Sequence, residues 1–247
     1  MNANKKILVV GASKGIGLAT SKMLLEKGYS VIAVSRNIET LQDAFQTNIN
    51  VKFYAYDFYQ IESIQSFAEN VNNECGPING IVYSAGIQLT IPMSMNKPKT
   101  VKKIFSLNAF APIEIVRCFS KRKMISENGA SFVLISSLSA HEGSIGQSLY
   151  GASKGAIEGF LAPASAELIN KKIRFNVVVP GMVMTDMSLE FLNNLAPDKR
   201  EKLENTYPLG LGEPSDVASL ITWLVSDESR WVTGQSYIID GGHMIRG

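Results

Sequence analysis

The chain has 247 residues and a mass of 26.9 kDa, which fits one large α/β domain or two small ones. Its hydrophobic content of 45% is that of a globular protein with a core and excludes a disordered chain. The 24 basic and 22 acidic residues are scattered and give a net charge of +2, so we expect no nucleic-acid partner, which would require clustered basic residues.

Short β-branched runs alternate with longer amphipathic segments along the chain. The runs predict strands at residues 6–10, 30–35, 51–56, 78–83, 131–136, 174–179 and 236–239. The amphipathic segments predict helices at residues 15–27, 39–46, 61–74, 101–125, 150–171 and 214–226. Most runs lack polar–apolar alternation, which is typical of strands buried on both faces. We therefore predict an α/β fold: a single-domain, Rossmann-type, doubly wound parallel sheet of about seven strands, with helices on both faces, formed by residues 1–247.

Residues 185–207 interrupt this alternation with two short helical patterns, 187–195 and 198–204, and no strand between them. An insertion of this size after a central strand is often a lid over a site, and a packed surface subdomain is the alternative. Its apolar side chains either contact an apolar part of a substrate or pack on the domain. They are Met184, Met187, Leu189, Phe191, Leu192 and Leu195.

Several features indicate a cytoplasmic protein that has neither a metal site nor a membrane partner. The two cysteines, Cys75 and Cys118, are isolated, and Cys118 is predicted to be a small core residue. His141 and His243 have no partners at metal-ligand spacing, so we predict that both are loop residues. The first residues lack the pattern of a signal peptide, and the longest uncharged stretch, residues 77–96, is too polar to span a bilayer.

A glycine-rich turn joins the first predicted strand to the first predicted helix. Glycine lets the chain turn sharply there and lets its backbone approach a pyrophosphate held at the helix N-terminus. The spacing differs from the common G-x-G-x-x-G, so the position between strand and helix carries this prediction. We predict cofactor contacts from Gly11, Ser13, Lys14, Gly15, Ile16 and Gly17.

The end of the second predicted strand favours one dinucleotide over the other. A site for NAD usually places an acidic residue here to hold the ribose 2′-hydroxyl group. Ser35 takes that place, Arg36 follows it, and Lys14 lies in the glycine-rich turn. Two cations without a carboxylate favour the 2′-phosphate of NADP(H), and the alternative is that Arg36 is only a solvated loop residue.

Tyr150 and Lys154 are four residues apart on one predicted helix and therefore share a face. A tyrosine with its reference pKa of about 10 is a poor acid–base catalyst at neutral pH. We expect the positive charge of Lys154 to lower the pKa of Tyr150 toward the working range. An ordinary amphipathic helix has this spacing by chance, so the pair needs support from other motifs.

Two further motifs occur in order with these: residues 83–86 (Tyr-Ser-Ala-Gly) after the fourth strand and Pro180-Gly181 after the sixth. With all four motifs the chain resembles the short-chain dehydrogenase/reductase family over essentially its whole length. Its C-terminal stretch, residues 211–242, looks most like the 3-oxoacyl-carrier-protein reductase branch. Family members usually have Asn-Asn-Ala-Gly at the second motif, so we expect altered local bonding there.

The resemblance implies catalytic roles for four residues. Ser137, which lies 13 positions before Tyr150, would hold the substrate oxygen while Tyr150 gives or takes the proton; Ser136 and Ser139 are second choices. Lys154 would also bond the nicotinamide ribose, and Asn108 would support a water and proton relay to Lys154. The resemblance also implies cofactor contacts from Asp57, Phe58, Ala85, Gly86, Tyr150, Lys154, Pro180, Gly181, Val183 and Thr185.

The activity so implied is the NADPH-dependent reduction of a carbonyl to a secondary alcohol, or the reverse oxidation. The substrate stays open among a 3-oxoacyl thioester, carrier-linked or free, and a sugar, polyol or secondary metabolite. We expect loops 90–99, 141–148 and 185–207 to set it, and Lys171 and Lys172 are candidates for contacting an acidic carrier.

Two other functions are alternatives to carbonyl reduction. A non-catalytic NADP(H)-sensing regulator usually lacks a catalytic residue, whereas all four are present here. A sugar-nucleotide epimerase or dehydratase of the longer related family fits neither the glycine spacing nor the length.

Pro163 departs from the family pattern, because it lies within the predicted helix that contains Tyr150. Proline removes the hydrogen bond to the carbonyl of Gly159 and collides with it, so we predict a kinked helix. This helix commonly builds a subunit interface in the family. The resemblance therefore implies a homo-oligomer, either a tetramer or a dimer.

Overall fold

A parallel sheet of seven strands forms the centre of the computed structural model, which describes residues 5–46 and 48–245. The strands are β1 (Lys6–Val10), β2 (Ser30–Ser35), β3 (Val51–Ala55), β4 (Gly80–Tyr83), β5 (Ala130–Ile135), β6 (Ile173–Pro180) and β7 (Ser236–Ile239). Their order across the sheet is β3-β2-β1-β4-β5-β6-β7, and every pairing is parallel. The predicted doubly wound fold is confirmed.

Helices cover both faces of this sheet. They are α1 (Gly15–Glu26), α2 (Ile38–Phe45), α3 (Ile64–Cys75), α4 (Pro98–Phe105), α5 (Ala111–Phe119), α6 (Ser148–Leu168), α7 (Asp186–Asn193), α8 (Pro197–Glu204) and α9 (Pro214–Val225). Buried side chains of α1, α2 and α9, such as Leu24, Leu41 and Ile221, pack on one face. Those of α3, α5 and α6, such as Phe67 and Phe119, pack on the other. Each such burial contributes about 1.5–3 kcal/mol, which fixes the helices on the sheet.

The predicted helix at residues 101–125 is wrong in one respect, because the structure has two α-helices there, α4 and α5, instead of one. A π-helical turn, Ser106–Phe110, separates α4 from α5, and the chain leaves α5 at Phe119. Pro112 gives the physical reason, since it lacks the N–H that would donate to the carbonyl of Asn108 four residues earlier. Cys118 is buried on α5, as predicted. Turns of this π type occur often at functional sites.

Helix α6 continues from Ser148 to Leu168 with Pro163 inside it. Leu161 and Leu168 are buried against the sheet on either side of the proline, and Phe160 lies edge-on to Phe175 of β6 at 5.8 Å. This packing holds the helix across the position where its hydrogen bond is missing. The helix is therefore not broken, and the kink stays a prediction.

The insertion between β6 and α9 contains α7 and α8 and is closed at its base. Val183 forms a parallel bridge with Gly212, and the Met184 N–H donates to the Gly212 carbonyl at 2.7 Å. Thr185 caps α7 in a reciprocal capping box with Ser188. The two ends of the insertion are thus held together beside the end of β6. Among the described residues, no helix combines the length and apolar character needed to cross a bilayer.

Candidate active site

A cavity of about 730 Å³ opens at the carboxyl ends of the central strands. Val10 at the end of β1, Ile135 at the end of β5 and Pro180 at the end of β6 all line it. In this strand order the chain crosses to opposite sides of β1, and ligands of open α/β sheets bind at such a switch point. The cavity therefore has the location of a dinucleotide site.

Protein packing requires the glycines of the turn between β1 and α1. Gly11 has φ +83°, and a Cβ there would lie 2.8 Å from the backbone N of Ala85. Gly15 has φ +54°, and its Cβ would lie 3.2 Å from the methyl group of Thr185 at the start of the insertion. A Cβ on Gly17 would lie 2.1 Å from the carbonyl oxygen of Gly11. The turn is therefore pressed against the neighbouring strand end, and the first amides of α1 stay open to the cavity.

The cationic residues predicted for the 2′-phosphate lie at one end of the cavity. Arg36 and Lys14 are exposed and line it, and the hydroxyl of Ser35 is buried and donates to the carbonyl of Asn37. Lys14 Nζ lies 3.9 Å from the carboxylate of Asp186, and both side chains are exposed, so water screens this pair. Ser35 leaves no carboxylate at the end of β2 to repel a phosphate group.

Asp57 does not line the cavity, in contrast to its implied contact. Its carboxylate accepts a hydrogen bond from the Tyr59 N–H at 3.1 Å and so stabilises its own turn. Phe58 does line the cavity and is packed edge-on against Tyr83 at 5.7 Å. A contact of Asp57 with the adenine stays a prediction.

Helix α6 brings Tyr150 and Lys154 to the wall of the cavity. Both line it, and so does Ser137, whose hydroxyl acts to lower the pKa of the Tyr150 phenol. The Nζ of Lys154 lies 6.0 Å from the centre of the Tyr150 ring and donates to the carbonyl of Ile135 at 2.8 Å. Lys154 is 6% exposed, which leaves its charge poorly solvated.

Burial sets the protonation of both groups. It raises the pKa of Tyr150 above its ordinary value, and the hydroxyl of Ser137 opposes this only in part. Burial also lowers the pKa of Lys154 to about 8. The expectation that Lys154 lowers the pKa of Tyr150 is therefore wrong for the free chain, because desolvation of the phenol outweighs a cation 6.0 Å from its ring. At neutral pH, Tyr150 is a phenol with a proton to give.

All three candidate serines line the cavity, and Ser137 is the one whose hydroxyl influences the pKa of Tyr150. Ser136 donates instead to the carboxylate of Glu158 at 2.7 Å, and Ser139 donates to the side-chain oxygen of Gln147 at 2.7 Å. The Ser139 N–H donates to the Ser137 hydroxyl at 3.3 Å, which holds Ser137 at the start of its turn. Ser136 and Ser139 are thus engaged by other side chains, and the substrate role of Ser137 stays a prediction.

Asn108 lies in the π-helical turn behind the cavity wall. Its amide donates to the Ile87 carbonyl at 2.9 Å and to the Ser153 hydroxyl at 3.1 Å, and its oxygen accepts from the Ile87 N–H at 2.9 Å. A Cβ on Gly86 would lie 3.2 Å from this oxygen and 3.5 Å from Lys154 Nζ. Because Gly86 has no side chain, Asn108 and Lys154 can both lie close to its backbone. The relay role of Asn108 stays a prediction.

The structure brings most of the predicted residues to one cavity. Besides those already placed there, the lining includes Ser13, Ile16, Ala85, Gly86, Gly181, Val183 and Thr185. Gly17, Asp57 and Asn108 lie outside the lining. Within the described residues, no group of three or more His, Cys, Asp or Glu side chains could hold a metal ion.

Other residues near the cavity were missed or misplaced by the sequence. Loop 90–99 contributes no lining residue, because the Ile91 N–H donates to the Gly146 carbonyl and holds this loop outside, whereas Ile87 and Gln88 do line the cavity. His243 starts a 3-10 turn, and it also lines the cavity rather than lying in a solvated loop. No spacing in the sequence pointed to it.

The apolar residues of the insertion divide between the two alternatives. Met187 and Phe191 line the cavity, whereas Leu192 is 1% exposed and packs inside the domain. Packing on the domain is therefore confirmed for Leu192, and contact of Met187 and Phe191 with a substrate stays a prediction.

Comparisons with known proteins agree with this geometry. A family model described as enoyl-(acyl carrier protein) reductase matches residues 11–244. The chain is 35% identical over 241 residues to carbonyl reductase family member 4 of Xenopus laevis, covering 97% of this chain and 98% of that one. It is 33% identical over 241 residues to a 3-oxoacyl-[acyl-carrier-protein] reductase of Mus musculus, with the same coverage.

Among solved structures, ElxO with NADP bound superposes with a TM-score of 0.87 at 25% identity, covering 98% of this chain and 99% of ElxO. The match thus includes the turn after β1, the helix of Tyr150 and the insertion. The chain belongs to the short-chain dehydrogenase/reductase family.

Proposed function

We propose that this chain uses NADPH to reduce a carbonyl group to a secondary alcohol, with Tyr150 as the acid. One observation carries the proposal: Ser137 and Tyr150 line the same open cavity, and the Nζ of buried Lys154 lies 6.0 Å from the centre of the Tyr150 ring. Two donors placed where negative charge develops stabilise an alkoxide more than they stabilise a ketone.

NADPH, when bound, supplies the hydride. Lys14 and Arg36 would hold its 2′-phosphate, because both line the cavity and β2 ends in Ser35 rather than a carboxylate. ElxO, a structural relative, was solved with NADP bound, which supports the same choice. The open amides at the start of α1 would bind the pyrophosphate.

The residues of this chain then handle the substrate oxygen and its proton. Ser137 would donate to the substrate oxygen, and Tyr150 would transfer its phenolic proton to that oxygen as the charge develops. The phenolate left on Tyr150 would be stabilised by the ammonium of Lys154, whose low solvation strengthens its field. Asn108 fixes the position of Ile87 and Ser153 behind them and so keeps α6 in register with the loop after β4.

The pKa values favour reduction over oxidation at neutral pH. Burial raises the pKa of Tyr150, so its protonated form dominates, and this form is the one that reduction needs. Oxidation of an alcohol would start from the phenolate, which is scarce at neutral pH in the free chain.

We favour a 3-oxoacyl thioester as the substrate, carrier-linked or free. The insertion contributes Met187, Phe191 and Leu203 to the cavity, and these side chains suit an acyl arm better than a sugar or a polyol. Relatives of this chain are named as carbonyl reductases and 3-oxoacyl-carrier-protein reductases, which supports this class. An apolar secondary metabolite is the second candidate because it would fit the same side chains.

We also propose that the chain forms a homo-oligomer, a tetramer or a dimer. Four apolar side chains in the C-terminal part of the chain are exposed, of which Ile238 lies on the edge strand β7: Leu209, Trp231, Ile238 and Ile245, at 86%, 91%, 47% and 88%. Apolar surface of this kind marks association sites. Light scattering would show the oligomer directly, and a monomer at micromolar concentration would contradict it.

A cytoplasmic location is supported by Cys75 and Cys118, which are both free thiols.

The proposed activity is tested by mixing the protein with NADPH and the N-acetylcysteamine thioester of acetoacetate. We expect loss of the dihydronicotinamide absorbance and formation of the 3-hydroxy product. Tyr150→Phe should lower kcat by at least about a thousandfold and leave the Kd for NADPH within about twofold. Retained turnover in Tyr150→Phe contradicts the mechanism.

Two controls separate this activity from its rivals. Tight NADPH binding without turnover of any carbonyl would favour the cofactor-sensing regulator. The corresponding crotonyl thioester tests the reduction of a carbon–carbon double bond, which the name of the matched family model suggests. Turnover of it in place of the acetoacetyl thioester would contradict the proposed carbonyl reduction.

A further inference from the structure

We propose that His243 and Glu142 act as a specificity-determining pair, a clasp that limits the size of the substrate arm beyond the carbonyl group. This inference rests on the proposed function, since it concerns the substrate end of the same cavity. Neither residue belongs to the catalytic group of Ser137, Tyr150 and Lys154.

Both ring nitrogens and one face of the His243 ring contact neighbouring residues. Its Nε2 lies 2.9 Å from the Glu142 carboxylate, and its Nδ1 lies 3.0 Å from the Thr206 hydroxyl. The ring stacks on Tyr207, with centroids 4.5 Å apart and planes 26° apart. The His243 side chain is 11% exposed, so the residue is held in place by its neighbours and is not a mobile surface histidine.

The pair joins three separate parts of the chain. Glu142 comes from the loop that follows Ser137, Thr206 and Tyr207 end the insertion, and His243 starts the C-terminal 3-10 turn. Each of these segments contributes to the cavity lining. Breaking the contact between His243 and Glu142 would therefore free the loop from the insertion on the substrate side.

Tyr207 connects the clasp to the end of β6. Its hydroxyl accepts a hydrogen bond from the Met182 N–H at 3.1 Å, and a Cβ on Gly181 would lie 3.0 Å from its ring. Gly181 and Met182 both line the cavity. The ring on which His243 stacks is thus positioned by the same segment that follows the Pro180-Gly181 motif.

The pair forms a barrier to a long apolar arm. Glu142 also accepts from the Ser144 hydroxyl at 3.2 Å, so its carboxylate is engaged by protein groups on both oxygens and is not directed at a substrate. Met187 and Phe191 favour an apolar arm within the cavity. An arm long enough to reach the clasp would have to desolvate the Glu142 carboxylate or separate it from His243, which is unfavourable, whereas a short arm would not reach it.

The test compares two N-acetylcysteamine thioesters, acetoacetyl and 3-oxododecanoyl, in the wild type and in His243→Ala. We expect the ratio of kcat/KM for the long over the short substrate to rise at least about tenfold in the variant, mainly through a lower KM for the long one. Glu142→Gln, which keeps a hydrogen bond but removes the carboxylate charge, should raise the ratio in the same direction. The Kd for NADPH should change less than about twofold in both variants.

The chain offers a matched control in its other histidine–glutamate pair. His141 Nε2 lies 2.8 Å from the Glu158 carboxylate, and neither residue lines the cavity. His141→Ala should leave the ratio within about twofold of the wild type. An increase as large in His141→Ala as in His243→Ala would overturn the proposal, because the effect would then follow from loosening the loop alone.

The outcomes for the clasp and for the proposed function are distinguishable. Turnover of the short thioester with an unchanged ratio in His243→Ala and Glu142→Gln overturns the clasp and leaves the function standing. A wild type that turns over no carbonyl overturns both. If His243→Ala does not fold, Glu142→Ala, which removes the same contact from the side of the loop, replaces it with the same expected direction.

Discussion

The phenol of Tyr83, at the end of β4, donates a buried hydrogen bond to the backbone carbonyl of Leu107 at 3.0 Å. Leu107 lies in the π-helical turn, next to Asn108. The bond therefore connects the strand that leads into Ala85 and Gly86 with the turn that positions Asn108. Tyr83 stands where family members usually have asparagine, and its long side chain makes a strand-to-helix contact of its own.

Replacing Tyr83 with Phe should destabilise the fold and slow the reaction. The Leu107 carbonyl would lose its buried partner, which costs about 1–2 kcal/mol in the free energy of unfolding. The π-helical turn would shift Asn108 against Lys154, so kcat should fall several-fold while the Kd for NADPH stays unchanged. Denaturant unfolding and steady-state kinetics measure the two effects. The control is Tyr54→Phe on β3, away from the cavity. It removes a phenol that donates to Glu74 of α3, and it should leave kcat unchanged.

Replacing Lys154 with Met should abolish turnover and stabilise the free protein at neutral pH. The pKa of Lys154 is about 8 in the fold against an ordinary value of 10.5, so burying its charge costs stability below pH 8. We expect a gain of roughly 1–3 kcal/mol, reduced because the Ile135 carbonyl loses its donor.

The change in the free energy of unfolding caused by Lys154→Met keeps the same sign at every pH, but its size depends on pH. The unfolded lysine keeps its proton up to about 10.5, and the folded one releases it near 8, so the gain shrinks as the pH rises between these values. Urea unfolding at pH 7 and above pH 10 measures it. An equal gain at both pH values would show that packing, and not the buried charge, is the cause.

The kcat/KM for reduction should fall as the pH rises through about 8. Below that pH, Lys154 is charged and can stabilise the phenolate that forms on Tyr150; above it, the charge is lost. The pKa of Tyr150 is raised, so the phenol itself keeps its proton over this range. In Lys154→Arg the cation persists, and we expect a slower enzyme whose profile lacks this limb. A flat wild-type profile up to pH 10 would contradict the assignment.

Arg36→Ala should change which cofactor is preferred. The loss of a charge-assisted contact with the 2′-phosphate should weaken NADPH binding about tenfold to a hundredfold and leave NADH nearly unaffected. Fluorescence titration with both cofactors measures this, and NADH serves as the internal control because it lacks the phosphate. Equal weakening of both cofactors would indicate that Arg36 supports the fold of the loop instead.

The sequence predicted the parts of the molecule whose physics is local. Strand β1 and the turn that follows it were placed correctly because buried β-branched runs and glycine spacing are properties of neighbouring residues. Ser137 and Tyr150 were paired through the family resemblance, and the structure places both on the wall of one cavity.

The missed features depend on burial or on residues far apart in the chain. The direction of the Tyr150 pKa was wrong because it is decided by desolvation, which spacing along a helix does not reveal. The role of His243 was missed because Glu142 is 101 residues away in the sequence. The π-helical turn could have been suspected from Pro112, which removes one hydrogen bond of a continuous helix.

The bridge between Val183 and Gly212 has a consequence for how this scaffold can change. Because the two ends of the insertion already meet, the segment between them can be exchanged for one of another length at little entropic cost, about 0.6 kcal/mol for each doubling. A graft from a relative with a different substrate would thus be tolerated by the seven strands beneath it. New selectivity can arise at this point without disturbing the residues that transfer the proton.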